Sequence, residues 1–130
     1  MPNAKITEQV TISEAIYPQV SAGISSSTLV DISEFGRYAA IASHGTATTA
    51  STFVIKLYES SAATWAGAVA TVLSTTTVSV ATAATNVTTV DAKATDLTEG
   101  NRYIGVYLTK VDTASSISAV HVRGNDRYQG

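Results

Sequence analysis

The chain has 130 residues, no cysteine and a formal net charge of −2. That length fits one domain with an ordinary core. The lack of cysteine excludes disulfides and thiolate metal sites, and so small a charge gives no electrostatic reason to expect nucleic acid or a membrane as a partner.

The first strand signal is Lys5–Ser13, where Ile6, Val10 and Ile12 alternate with Thr7, Gln9 and Thr11. Glu8 interrupts its apolar side, which marks an edge strand. Tyr17-Pro18 is expected to stop it, because proline has no N–H for a ladder. A short strand is predicted at Val20–Ile24, a loop at Ser25-Ser26-Ser27, a strand at Thr28–Ile32 and a turn over Asp31–Gly36. Arg37–Ser43 reads as a buried strand of small residues, and His44–Ser51 as a loop. Thr52–Glu59 then turns Phe53, Ile55 and Leu57 inward. Together Arg37–Glu59 is expected to make a hairpin.

The middle of the chain is unusual. No Asp, Glu, Lys or Arg occurs from Ser60 to Val90, and Ala, Thr and Ser number 20, 20 and 15 in the whole chain. Thr and Val favour pleated, half-buried surfaces, whereas Ala and Ser add little volume. The composition thus predicts a thin core and a weakly charged, easily desolvated surface. Ala62–Gly67, around the lone Trp65, is expected to be a loop or short turn. Strands are predicted near Val69–Leu73, Thr76–Ala81 and Thr88–Ala92, and a turn at Asp96–Asn101.

The strongest strand pair comes last. In Arg102–Val111, Ile104, Val106 and Leu108 share one face. In Ile117–Arg123, Val120 and Val122 share one face, with Ala119, His121 and Arg123 on the other. The two are expected to form a hairpin followed by a tail, Gly124–Gly130. About eight short strands without a long amphipathic helix predict an all-β single domain, a β-sandwich or jelly-roll-like barrel. Residues 1–27 would be an N-terminal strand or arm, and residues 28–130 the core sandwich with its C-terminal hairpin. No long apolar run and no charged-then-apolar leader pattern is present, so a soluble protein made in the cytoplasm is expected.

Catalytic chemistry finds no foothold. His44 and His121 are the only histidines. His121 lies on a strand face and is expected to be a packed or edge residue, while His44 sits in a loop where it could bind or catalyse but has no partner at meaningful spacing. Asp91 and Asp96 read as a solvated turn, and the glycines are scattered singly, with no phosphate-binding fingerprint. Asn86-Val87-Thr88 matches a glycosylation acceptor but is expected by chance in so threonine-rich a chain. No enzyme activity, cofactor or metal is expected. Arg102, Tyr103, Tyr107, Arg123, Arg127 and Tyr128 cluster in the last 30 residues. Tyr and Arg offer large contact area with a polar handle, which makes these six the candidate interface residues.

The order TFVIKLYESS, a Thr/Ala-rich middle, DLTEGNRYIGVYLT and ISAVHVRGNDRY resembles small tailed-bacteriophage capsid decoration, or cement, proteins. It spans roughly Thr28–Tyr128 and ends in Arg123, Gly124, Arg127 and Tyr128. The resemblance implies a β-sandwich on the outside of an icosahedral shell, bridging neighbouring capsomers, with the major capsid protein as partner and self-association as a dimer or trimer. It implies no cofactor and no catalytic residue, and it places the protein on the virion exterior after synthesis in the host cytoplasm. Two other functions suit the same composition. One is a carbohydrate- or receptor-binding module of a phage fibre, for which Trp65 would be the exposed aromatic. The other is a tail-tube or head–tail joining protein.

Overall fold

The computed structural model describes residues 10–20, 24–63, 65, 70–111 and 115–125. Its strands are β1 (Val10–Gln19), β2 (Ile24–Ser26), β3 (Val30–Asp31), β4 (Gly36–His44), β5 (Ser51–Ser60), β6 (Ala70–Val80), β7 (Asn86–Lys93), β8 (Tyr103–Lys110) and β9 (Ile117–Asn125), with one 3-10 turn at Ala94–Asp96. They form two antiparallel sheets, ordered β1-β9-β4-β7 and β2-β8-β5-β6, and β3 also pairs with β8. The sheets face each other as a sandwich and do not close into a barrel.

Period-2 patterning accounts for the faces. In β5, Phe53, Ile55 and Leu57 are buried, as are Ile104, Val106 and Leu108 in β8. From the opposite sheet they meet Tyr38, Ala40 and Ala42 of β4, Ile117 and Ala119 of β9, and Val90 and Ala92 of β7. The alanines of β4 do not fill much volume, so the large groups opposite them, Phe53 above all, carry the packing.

The partners of the strands depart from expectation. β8 and β9 are not a hairpin: β8 pairs with β5 and β2, whereas β9 lies between β1 and β4 in the other sheet. β4 and β5 likewise sit in different sheets. The chain is a rolled-up ribbon in which β1 pairs with β9, β2 with β8, β4 with β7 and β5 with β6. That is the jelly-roll order. Sheets stacked about 10 Å apart are bridged as readily by a six-residue connection as two strands of one sheet, so loop length does not separate an arch from a hairpin. The two arches meet, with the Gly45 N–H donating to the Ser116 carbonyl at 2.7 Å.

Other boundaries shift for local reasons. β1 runs through Pro18, which an edge strand tolerates because one side of its ladder is unpaired. Its register slips between Glu14 and Ile16 and again before Gln19, so the buried side changes along the strand. Ile12, expected on the inner face, is 61% exposed, and Ile16 is 2% exposed. Ser25 and Ser26, expected in a loop, pair with Leu108 and Tyr107. The two strands predicted on either side of Ser74-Thr75 are one strand, β6, because neither residue breaks a ladder. The irregularity is a single extra residue, Leu73, between the partners of Leu57 and Tyr58.

Candidate functional site

The residues singled out from the sequence separate into two groups. Arg102, Tyr103 and Arg123 gather around Asp31. The Arg102 guanidinium pairs with the Asp31 carboxylate, its Nε donating at 3.0 Å, and lies 5.5 Å from the centre of the Tyr103 ring. Arg123 reaches the same residue from the other sheet, donating to the Asp31 carbonyl at 3.3 Å with its guanidinium 4.9 Å over the Phe35 ring. The Arg102 hydrogen bond holds the Asp31 carboxyl at about 2, and the Ser33 N–H, at 2.8 Å, supports it. The two arginines therefore act first as ties within the domain, Arg102 fastening β3 to the start of β8 and Arg123 joining the two sheets at that end. Arg127 and Tyr128 lie outside the described residues.

Tyr107 belongs elsewhere. On the outer face of β5 and β8, the Tyr58, Trp65 and Tyr107 rings pack together, with Tyr58 5.1 Å from Trp65 and 5.7 Å from Tyr107. The indole N–H donates to the Ser27 carbonyl. Gly105 makes this possible, since a Cβ there would stand 2.5 Å from the Leu29 side chain and 2.9 Å from the Trp65 ring. Trp65 is half-buried, its polar atom and one edge committed to the domain. A sugar platform needs a free aromatic face, and this geometry does not favour one.

Both histidines are buried. The Tyr38 hydroxyl and His121 Nδ1 share a hydrogen bond of 2.6 Å. Burial, followed by the charge of Arg123, pushes His121 down to about 4, and burial lifts the Tyr38 phenol well above its ordinary range. The pair is thus a neutral hydrogen bond inside the core. His44, expected in a loop, is the last residue of β4 and 1% exposed. Its Nδ1–H donates to the Gly45 carbonyl at 2.7 Å, which leaves Nε2 to accept from the Ser115 hydroxyl at 3.2 Å. This Ser–His contact has no solvent access, because Ser115 is also buried, beneath the buried Lys110 that donates to its carbonyl. Glu59 is held below its ordinary range although burial works to raise it. The Thr98 N–H and Asn101 side chain, at 2.9 and 2.7 Å, outweigh that effect. They fix the predicted Asp96–Asn101 turn onto β5.

The accessible feature is apolar. On the outer face of the β1-β9-β4-β7 sheet the registers align Ile12, Val122 and Ala39 in one row and Glu14, Val120 and Ile41 in the next. Ile12 and Val87 are 61% and 68% exposed. One end of this face dips into a depression of about 510 Å³ lined by Arg37, Ala39, Asp91, Lys93 and Val122. Sequence periodicity separated Val120 and Val122 from His121, but without knowledge of the partner sheet it did not say that the valines face outward.

No protein-family model and no curated protein matches the chain. Its fold is similar to part of a chain in the structure of infectious bursal disease virus Gx strain, with a TM-score of 0.52 and 14% identity, over 93% of this chain and 34% of that one. The present chain therefore spans about a third of its neighbour's length. At that identity the likeness concerns the two-sheet architecture alone.

Proposed function

We propose that this chain is a virion structural protein, and within that class one that binds the outside of a tailed-phage capsid and cements neighbouring capsomers without catalysis. The observation that carries the reading is that nearly the whole chain adopts the architecture of a chain from a virus structure. The likeness of its sequence to decoration proteins agrees with it. The exposed Ile12 and Val87, with the half-buried Val120, Val122 and Ile41 between them, supply the surface, since a contiguous apolar face on a small domain marks a contact site. Cementing needs many modest, dry contacts repeated by symmetry so that avidity multiplies them, and a face whose charges are Glu14 on its β1 edge and Arg37, Asp91 and Lys93 at one corner is suited to that. The major capsid protein is the partner, and the virion exterior the location.

Purified phage shells stripped of their decoration should bind the chain saturably on co-sedimentation. Ile12→Asp with Val122→Asp should remove binding while leaving the circular dichroism unchanged. Shells that retain the double variant at the wild-type level would place the contact elsewhere. A chain that never sediments with any shell would refute the cementing role.

A further inference from the structure

We propose that the free edge of β6 is a self-association site, where Ser74–Val80 pairs antiparallel with the same segment of a second copy. The inference rests on the strand edge and on none of the shell-binding argument. A sheet edge presents unpaired N–H and C=O groups, and natural proteins guard such edges with charge, proline, bulges or brevity. Three of the four edges here are guarded. β1 carries Glu14, Pro18 and two register slips. β7 ends with Asp91 and Lys93, and β2 has three residues. β6 is eleven residues long, has no charge and no proline, and is bonded only to β5 among the described residues. Its one irregularity, at Leu73, leaves Ser74–Val80 in regular register with Ser51–Leu57.

The occupant follows from symmetry. Around a two-fold axis each residue faces its own copy or a neighbour of it, so a charge near the axis would meet its like at close range, which is destabilising. An uncharged edge avoids that penalty. Placing the axis at Thr77, the centre of the regular segment, sets Thr77 opposite Thr77 and Thr75 opposite Ser79 on the outer face. Thr76 then lies opposite Val78 on the inner face. Thr75, Thr77 and Ser79 are exposed, and Thr76 and Val78 are half-buried. Hydroxyl pairs and β-branched pairs of this kind are favourable across antiparallel strands. Two sandwiches joined so share one continuous sheet of ten strands, five from each copy, at the upper end of the ordinary size range.

Light scattering on the full chain should give twice the 13.5 kDa of one copy. Thr77→Lys should halve that mass with the circular dichroism unchanged, and Thr11→Lys, on the exposed side of β1, should not. The chain has no cysteine, so Thr77→Cys gives a single reporter. Under mild oxidation it should link to itself, because facing residues of an antiparallel pair stand within disulfide reach, while Thr11→Cys should not. The cysteine arm decides the matter if the lysine variant does not fold. A monomeric wild type, a dimer that survives Thr77→Lys, open-ended fibres, or linkage at Thr11 but not at Thr77 would each overturn the assignment.

Discussion

His121 and Tyr38 show how a residue read correctly as packed still has consequences of its own. Folded His121 resists protonation until about pH 4, whereas an unfolded histidine takes up its proton near 6.5. Its contribution to stability is therefore complete above pH 6.5 and is lost as the pH falls from 6.5 through 4, a change of about 3 kcal/mol. Urea unfolding at pH 7 and pH 4.5 should show most of that loss, and His121→Gln should flatten the dependence. Equal slopes for the two proteins would mean that another group dominates. Gly105 makes a second residue-scale prediction. Gly105→Ala inserts a methyl where Leu29 and Trp65 already press, so Trp65 should be displaced, with a red-shifted emission and a cost of about 1–3 kcal/mol. An unchanged spectrum would show that the ring does not lie on the glycine. The place of His121 among strand residues makes its burial legible in the sequence. The burial of His44 is not legible there, because His-Gly reads as a loop and the covering residues, Lys110 and Ser115, lie far along the chain. Nor did composition reveal that Arg102 and Arg123 converge on Asp31, a contact between residues 71 and 92 positions apart.

Among elements, β5 and β8 were legible almost to the residue, because two clean alternations of large apolar groups are hard to misread. Their neighbours in sequence misled. β4 and β5, and β8 and β9, are strong adjacent strands that resemble hairpins, yet each pair crosses between sheets. Alternation reports which face is buried and not which strand lies alongside, and a sandwich buries a face equally well by an arch. The connection between β6 and β7 carries a further mark. Ala83 adopts a left-handed φ of 68°, with its N–H donating to the Ala47 carbonyl at 2.8 Å and the Ala47 N–H to the Ala84 carbonyl at 2.9 Å. These bonds hold a non-glycine residue where its Cβ is unfavourable. Ala83→Gly should therefore stabilise the protein by up to about 1 kcal/mol, once the glycine's greater unfolded-state freedom is offset. A lower thermal midpoint would contradict the strain.

The whole molecule is a thin-cored two-sheet sandwich in which Asp31, Arg102 and Arg123 hold one end together. Its class was legible because eight or so short strands without a helix leave few alternatives, and the jelly-roll order was not, because it is a property of pairing. The apolar outer face of the β1-β9-β4-β7 sheet and the uncharged edge of β6 point in different directions, so one copy has room to grip a shell and a second copy together. The proposed cementing role depends on repetition, so isolated copies should hold a shell far less tightly than an assembled set. The most direct test of the proposed role is a cryo-electron-microscopy map of the tailed-phage particle proposed to carry this chain. Density for the sandwich is expected on the outer surface of the shell, at contacts between capsomers, with Ile12 and Val122 facing the major capsid protein. Particles whose shells are bare, or in which the chain forms stacked rings along the tail, would contradict it.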